Sequence, residues 1–167
     1  MVTGHVAEPA RRNVARLNEE RVWWVLRSVM DPEIPVLSVI DLGIVRYVRS
    51  DGERIRVGIT PTYSGCPATE VIQRSAREAL IRNELEDVVV ETVLSPPWTS
   101  EWLSEGGRRK LEAFGIAAPT WRRASNVACP RCSSHDVERI SEFGSTPCKA
   151  HYRCRGCLEP FDVFKCI

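Results

Sequence analysis

Residues 43–61 read Gly-Ile-Val-Arg-Tyr-Val-Arg-Ser-Asp-Gly-Glu-Arg-Ile-Arg-Val-Gly-Ile-Thr-Pro, and this stretch decides the fold of the first part of the chain. Gly43–Arg49 is rich in β-branched and aromatic residues, and Ile55–Ile59 alternates apolar residues with Arg and Gly. Such alternation is typical of a strand with one buried face. Asp51-Gly52 lies between the two segments and favours a tight hairpin turn. The stretch therefore predicts two antiparallel strands.

Helical patterns flank this hairpin on both sides. Before it, Asn18 can cap a helix that Pro32 ends, because the residue before a proline disfavours helical angles. After it, Pro67 suits the first position of a second helix. The predicted buried face of the first helix consists of Val22, Val25, Leu26, Val29 and Met30. That of the second consists of Ala68, Val71, Ile72, Ala76, Ala79 and Leu80.

Further along the chain, a third strand is predicted at about Val88–Leu94 and a helical stretch at about Thr99–Phe114, with Gly115 as its cap. The order of elements predicts an α/β (α+β) fold in which helices pack on a small mixed sheet. A zinc-ribbon-like module is predicted to follow. The expected division is a flexible leader at 1–17, the α/β domain at 18–116, a linker at 117–127 and the ribbon at 128–167.

The strongest chemical signal is a pair of C-x2-C motifs, Cys129-Pro-Arg-Cys132 and Cys154-Arg-Gly-Cys157, separated by twenty-one residues. Two thiolates three positions apart in a tight turn can reach one ion, and two such turns supply a tetrahedral set of four. A module of 39 residues buries little apolar surface, so a bound metal would carry much of its folding free energy. The spacing predicts a four-cysteine site, most simply a structural zinc.

The ligand set and the metal leave alternatives open at this point. Iron or an iron–sulfur cluster also takes four thiolates, and the spacing does not exclude either. Cys148 precedes Cys154 by six positions and could replace one ligand. Cys166, His135 and His151 are weaker candidates and are expected to be bystanders. Tyr152, Phe161 and Phe164 are expected to form the small core of the ribbon.

A second candidate site surrounds Cys66, which lies in Tyr-Ser-Gly-Cys-Pro just before the second predicted helix. Unpaired amides and the helix dipole at that end favour a thiolate. The alternative is a half-buried cysteine that only packs. Asp31 and Glu33 flank Pro32, and their simplest interpretation is a helix stop with two solvated acids. Asp41 is expected to cap the turn into Gly43.

Composition excludes several classes of function. Apolar residues make up 43% of the chain and charged residues 27%, which is typical of a soluble globular protein. The sequence contains no run of 18 apolar residues, so no membrane-spanning helix is expected. The N-terminus has no apolar stretch like that of a secretory signal, so a cytoplasmic location is expected. The net charge is only +1, which argues against a nucleic-acid partner. Six of the seven cysteines lie in the last 39 residues, which indicates metal binding rather than disulfides.

The sequence also resembles known families in two blocks. Val29–Pro35, Val39–Val45 and Gly65-Cys66-Pro67 resemble the domain shared by iron–sulfur cluster assembly accessory proteins. The tail is similar to the D subunits of bacterial ring-1,2-phenylacetyl-CoA epoxidases. The residues that carry this second likeness are Ser141–Thr146, Cys148–Ala150, Tyr152–Cys154, Cys157–Phe161 and Phe164–Cys166.

The resemblance implies a role in aerobic phenylacetate catabolism. Its epoxidase has an oxygenase component and a reductase with a [2Fe–2S] cluster. The D subunit is expected to assist assembly or insertion of that cluster, together with the iron–sulfur assembly machinery. Carried over to this chain, the implied functional positions are Asp31 and Cys66, which could hold transient iron or a cluster, and the four ribbon cysteines.

The sequence features can be compared with what three candidate functions require. A cluster-maturation factor fits both blocks. A subunit that itself oxygenates substrate is disfavoured, because di-iron sites in helical proteins use Glu-x-x-His pairs and none of the three histidines belongs to one. A nucleic-acid-binding ribbon is disfavoured by the neutral charge. A structural or regulatory subunit of the oxygenase complex, or a zinc-ribbon interaction module, remains the alternative. No catalytic residue is predicted.

Overall fold

The computed structural model describes residues 18–50, 54–85, 87–119 and 127–165. The expected leader 1–17, the Asp51-Gly52 turn, most of the expected linker and Cys166 lie outside these ranges. The two strands of the predicted hairpin are β1 (Val45–Ser50) and β2 (Ile55–Ile59), and they pair antiparallel. The hairpin prediction is therefore confirmed by the strands on either side of the turn.

The first sheet is mixed, as predicted. Strand β3 (Val88–Thr92) pairs in parallel with β2, and the strand order is β1-β2-β3. Parallel neighbours need a crossover connection, and helix α2 (Ala68–Arg82) provides it. Five of the six residues expected on the buried face of α2 are buried. Val71 is the exception and is 37% exposed.

Helix α1 covers residues 18–26 of the described chain, so it ends before Pro32, and a turn follows. Its predicted apolar face is buried at Val22, Val25 and Leu26, and Val29 continues this face beyond the helix. The prediction for Met30 was wrong. Met30 pairs with Ser38 as an isolated β-bridge and is 40% exposed, because the chain has already left the helix.

The single helix predicted over 99–114 is two elements. A 3-10 turn, Ser100–Trp102, precedes helix α3, Glu105–Ala113. Ser104 separates them in an extended conformation, and its hydroxyl accepts a hydrogen bond from the Gly107 amide at 2.9 Å. A serine cap that starts a new helix is the physical reason for the break. Gly115 follows α3 with φ +88, as the predicted cap requires.

The second sheet joins the two parts of the chain. It has the order β4-β7-β6-β5, formed by β4 (Ile116–Ala117), β5 (Val137–Ser141), β6 (Lys149–Cys154) and β7 (Pro160–Phe164). Strand β4 follows α3 and runs parallel to β7 of the ribbon. The expected linker 117–127 therefore begins inside a sheet, because Ala117 is paired and buried.

The ribbon also contributes to the large core. Phe164 is 1% exposed and belongs to the same buried cluster as α1, α2 and the first sheet. Its ring lies 5.9 Å from that of Trp98 in an edge-to-face arrangement. The expectation that Phe164 belongs to a separate ribbon core was wrong. Phe161 and Tyr152 do pack in a second cluster with Cys129 and Cys154.

Gly43 allows the 3-10 turn to approach the loop before β1. Its φ is +65, and a Cβ built there would lie 2.1 Å from the backbone oxygen of Trp102. Only glycine satisfies both conditions. The indole of Trp98 donates a hydrogen bond to the Leu42 carbonyl at 2.9 Å, which holds the two segments together beside this contact.

Asp41, in the same loop, is bonded on several sides. Its carboxylate accepts from the Ser38 amide at 3.0 Å and the Ser38 hydroxyl at 2.8 Å. The Lys110 ammonium of α3 donates to it at 2.6 Å. Burial alone would raise the pKa of Asp41, but these bonds outweigh it and leave the pKa lowered. Asp41 thus ties the loop to α3 in addition to its expected local cap.

We expect Asp41→Asn to lower the free energy of unfolding at pH 7 by about 1–3 kcal/mol, since bonds to a charged group are lost. Because the folded pKa of Asp41 is lowered, the charge stabilises the fold above the ordinary aspartate pKa. That stabilisation is lost as pH falls through the folded value. Urea unfolding at pH 7 and at a pH below the ordinary aspartate pKa measures this difference. Asp87→Asn is the control, because its ion pair with Arg54 at 3.1 Å is solvent-exposed. Equal effects of both substitutions at pH 7 would contradict this role of Asp41.

In the part of the chain that the structure describes, no helix is long and apolar enough to cross a membrane.

Candidate functional site

Two turns present the four ribbon cysteines. In the first, the Ser133 amide donates to the Cys129 carbonyl at 2.8 Å, and Ser133 has φ +59. In the second, the Cys154 amide donates to the Glu159 carbonyl at 2.9 Å, and Leu158 has φ +64. A residue in the left-handed region therefore follows the second cysteine of each pair.

The four sulfurs have the geometry of a tetrahedral thiolate site. They all lie within 4.8 Å of one another. Cys129 and Cys157 are 3.7 Å apart at Sγ, and Cys132 and Cys154 are 3.5 Å apart. A tetrahedral ion with Zn–S bonds of about 2.3 Å places its sulfurs about 3.8 Å from each other. The donor set and its spacing therefore fit a zinc ion.

The backbone supports the thiolate form of one ligand. The Cys157 amide lies 3.5 Å from the Cys154 sulfur and lowers the pKa of this thiol to about 7. Cys129 and Cys154 are buried, whereas Cys132 and Cys157 are exposed. One side of the site is therefore packed against the small core of the ribbon and the other faces solvent.

The alternative ligands named from the sequence lie elsewhere. The Nδ1 atom of His135 lies 3.3 Å from the Val127 carbonyl, and that of His151 lies 3.1 Å from Asp162. Cys148 is not in the four-sulfur group, and its thiol lies 3.0 Å from the Thr146 hydroxyl. Cys166 lies outside the described residues. Of the described candidates, only the two C-x2-C pairs converge.

A second site is a small cavity between the ribbon and the first sheet. Its volume is about 20 Å³, which is room for about one water molecule. Apolar residues form most of its wall, among them Ile44, Ile59 and Phe164. The polar residues that line it are Asp31, Glu33, Thr62, Cys66, Thr69 and Cys148. The structure therefore brings Asp31 and Cys66 together, and adds a cysteine from the ribbon.

Cys66 lies directly before α2. Pro67 already has helical angles, and the Cys66 carbonyl accepts a bond from the Thr69 amide at 3.2 Å. The cap of α2 is therefore Pro67, and Cys66 lies one residue before the cap position that was expected for it. The side chain is half-buried. Gly65 beside it has φ +82, and no atom lies within 4 Å of where its Cβ would be. The approach to Cys66 from this side is open.

Asp31 is buried, so it is not the solvated acid of the simplest interpretation. Its Oδ1 accepts from the Glu33 amide at 2.8 Å and from the Ile34 amide at 2.7 Å. These bonds fix the Asp-Pro-Glu-Ile-Pro loop. Burial raises the pKa of Asp31, although the two amides and the positive charge of Lys149 act in the opposite sense. Oδ2 makes no hydrogen bond within the described ranges.

Two further polar groups near the cavity were not predicted from the sequence. Lys149 is 5% exposed, and its ammonium lies 3.6 Å from Asp162. The Tyr63 hydroxyl is buried and has no hydrogen-bond partner among the described residues. Burial and the neighbouring Cys66 raise the pKa of Tyr63 to about 12, so the phenol is neutral at pH 7. Lys149 follows Cys148 directly, and Tyr63 precedes Cys66 by three positions. This closeness in sequence was the signal that could have identified the two residues.

Comparisons with known proteins agree with this two-part organisation. Residues 19–94 match the family model of the iron–sulfur cluster assembly protein, and residues 117–165 match that of the PaaD zinc beta ribbon domain. A crystal structure from Bacillus anthracis, described as a domain of unknown function, superposes with a TM-score of 0.56 at 26% identity. The match covers 60% of this chain and 96% of that one.

Two relatives match about half of this chain. A Bacillus subtilis protein named Fe-S protein maturation auxiliary factor YitW is 33% identical over 52% of this chain and 85% of its own length. A Staphylococcus aureus protein named Fe-S protein maturation auxiliary factor SufT is 36% identical over 46% of this chain and 88% of its own length. The fold and site thus define an iron–sulfur cluster assembly domain that carries a zinc ribbon.

One relative covers both parts. A protein of Escherichia coli strain K12, provisionally named as the D subunit of 1,2-phenylacetyl-CoA epoxidase, is 48% identical over 87% of this chain and 92% of its own length. The chain belongs to this family of epoxidase D subunits.

Proposed function

We propose that this chain is a cytoplasmic accessory protein of the phenylacetyl-CoA epoxidase system in aerobic phenylacetate catabolism. It assists assembly or insertion of the iron–sulfur cluster of the reductase component, and has no catalytic site of its own. Its partners are the reductase and oxygenase components and the iron–sulfur assembly machinery. The names of the relatives support this role, because the first part is similar to maturation factors and the whole chain to an epoxidase component.

The observation that carries the proposal is the position of Cys66. Its half-buried thiol lies directly before α2. The open space at Gly65 lets a partner approach, and Asp31 lies across the same cavity. A soft thiolate beside a carboxylate is suited to hold iron or a cluster transiently as cargo.

We assign the ribbon a structural role with zinc as its ion. The four sulfurs fit zinc in number and spacing, and two of them belong to the small buried core of the ribbon. When bound, zinc supplies a fixed tetrahedral link between the two turns. The thiolates are then committed to the ion, so we place cargo handling at Cys66 rather than at the ribbon.

We predict that the purified chain alone does not epoxidise phenylacetyl-CoA when an electron donor is supplied. We also predict that the reductase, produced without this chain, contains at most a fifth of the iron and acid-labile sulfide that it contains when the two are co-produced. Metal and sulfide analysis of the isolated reductase measures this. Equal occupancy with and without the chain would contradict a maturation role, and turnover by the chain alone would make it an enzyme.

The ribbon surface favours a second candidate function, that of an interaction module. Ile140, Phe143 and Leu158 are 55%, 62% and 70% exposed, and large exposed apolar side chains can mark an interaction surface where they form one patch. Under this alternative the chain would hold components of the complex together without handling iron. Replacement of Cys66 separates the two functions, because docking does not need its thiol.

A further inference from the structure

The cavity contains one thiol that the proposed function does not use. Cys148 belongs to the ribbon by sequence, yet it lines the same cavity as Cys66 and is 4% exposed. The two cysteines are 82 positions apart. They share the cavity because the ribbon packs Cys148 and Phe164 into the large core.

Backbone bonds on both sides hold Cys148 in place. The Lys149 amide donates to the Thr146 carbonyl at 3.0 Å, and the Gly144 amide donates to the Lys149 carbonyl at 2.7 Å. The Cys148 carbonyl itself accepts from the Lys165 amide at 2.9 Å.

The charges around the cavity are unbalanced. Four groups that can become negative line it, namely Asp31, Glu33, Cys66 and Cys148. Lys149 is the buried cation beside them, and it is already paired with Asp162. A low-dielectric site with more potential anions than cations is stabilised by a bound cation.

We propose that Cys66 and Cys148 together bind a single thiophilic divalent ion of the Fe²⁺ class, with the Asp31 and Glu33 carboxylates as neighbouring oxygen donors. This inference rests on the proposed function and specifies its cargo. A volume of about 20 Å³ suits one ion rather than a preassembled cluster. The cargo is therefore iron delivered as an ion, and the ribbon supplies half of the thiolates.

The site is incomplete before the ion arrives. Within the described ranges, only the four ribbon cysteines form a group of three or more donor atoms already within 4.8 Å of one another. An ion held at this cavity by two thiolates keeps positions open for ligands from a partner. Open positions are the property that distinguishes a reactive site from a closed structural one.

Co²⁺ added anaerobically to the zinc-loaded full chain tests the proposal, because sulfur-to-cobalt charge-transfer absorption reports thiolate ligands. Zinc binds thiolate sites more tightly than cobalt, so the ribbon stays filled, and zinc release is monitored. We expect the wild type to bind about one Co²⁺ with two-thiolate intensity. Cys66→Ser and Cys148→Ser should each halve this intensity and weaken binding at least about tenfold, because loss of a hydrogen-bond partner of a ligand alone already costs about that much.

Cys148→Ala accompanies Cys148→Ser in case the buried hydroxyl destabilises the core, and Ser64→Ala is the control in the exposed loop. Unchanged absorption in both folded Cys148 variants would overturn the inference, as would a wild type that takes up no second ion. These failures are distinguishable from failure of the proposed function, which is measured by the cluster content of the reductase. If the reductase acquires its full iron–sulfur cluster content without this chain, the proposed function is refuted, whatever the cobalt titration shows.

Discussion

Replacing Cys129 or Cys157 with Ser is expected to remove the ribbon ion almost completely, from about one equivalent per chain to less than a tenth. Each variant leaves three thiolates, and binding of structural zinc in small modules contributes on the order of 10 kcal/mol. Cys129 also belongs to the small buried core with Phe161 and Val163. We therefore expect the two turns to unfold with loss of the ion, while the first sheet and its helices remain folded.

Metal analysis and amide hydrogen exchange measure both parts of this result. Arg131→Ala is the matched control, because Arg131 lies between the two cysteines of the first turn and forms only an exposed ion pair with Glu159 at 2.9 Å. It should retain the ion. Normal metal content in both cysteine variants would refute the four-cysteine assignment.

Phe164→Ala is expected to destabilise the whole protein by about 3–5 kcal/mol, as for other large-to-small changes in cores. Phe164 is supplied by the last strand of the ribbon but is 1% exposed within the large core. Its removal also eliminates the edge-to-face contact with Trp98 at 5.9 Å. Because the two parts of the chain share this side chain, the first sheet should unfold at lower denaturant together with the ribbon.

Phe143→Ala provides the comparison within the same module, since Phe143 is 62% exposed and contacts the Lys165 ammonium at 4.1 Å. We expect it to change the free energy of unfolding by no more than about 0.5 kcal/mol, as for most surface substitutions. Denaturant unfolding followed by tryptophan fluorescence and far-ultraviolet circular dichroism measures both variants. A Phe164→Ala effect as small as that of Phe143→Ala would mean that the two parts do not share a core.

Local patterns predicted the elements that depend on local physics. Alternation and the Asp-Gly turn predicted the β1–β2 hairpin, and the order of elements predicted a mixed sheet, which the parallel pairing of β3 with β2 confirms. The C-x2-C spacing identified the ribbon ligands, because two thiols in a tight turn are constrained by the turn itself. The buried face of α2 followed from helical spacing except at Val71, where packing rather than periodicity sets exposure.

Tertiary packing accounts for what the sequence did not predict. The pattern around Phe164 is that of any ribbon strand, and nothing local indicates that its side chain enters another core. The same holds for Ala117, whose pairing with Val163 depends on where the ribbon docks. Ser104 could have been recognised as a cap, since serine before Glu and Gly begins helices. Met30 was misplaced because the helix ends four residues before it.

The candidate site was predicted in part. Cys66 and Asp31 were identified through resemblance and a helix-start argument, and the structure places both at one cavity. Their roles there remain proposals. Cys148 was considered only as a substitute ribbon ligand, because its six-residue spacing from Cys154 suggested proximity to the ribbon ion. The structure places Cys148 at the cavity and outside the four-sulfur group, which spacing alone does not reveal.

The cluster content of the reductase co-produced with Cys66→Ser is the most direct measurement of the central claim. Cys66 precedes Pro67, the cap residue of α2, and its side chain is only half-buried, so α2 and the ribbon ion should be retained in the serine variant. The soft thiolate is lost, and we predict that iron and acid-labile sulfide in the reductase fall at least about fivefold, whereas Ser64→Ala leaves them unchanged. Full cluster occupancy with a folded Cys66→Ser variant would contradict the account and reduce Cys66 to a packing residue.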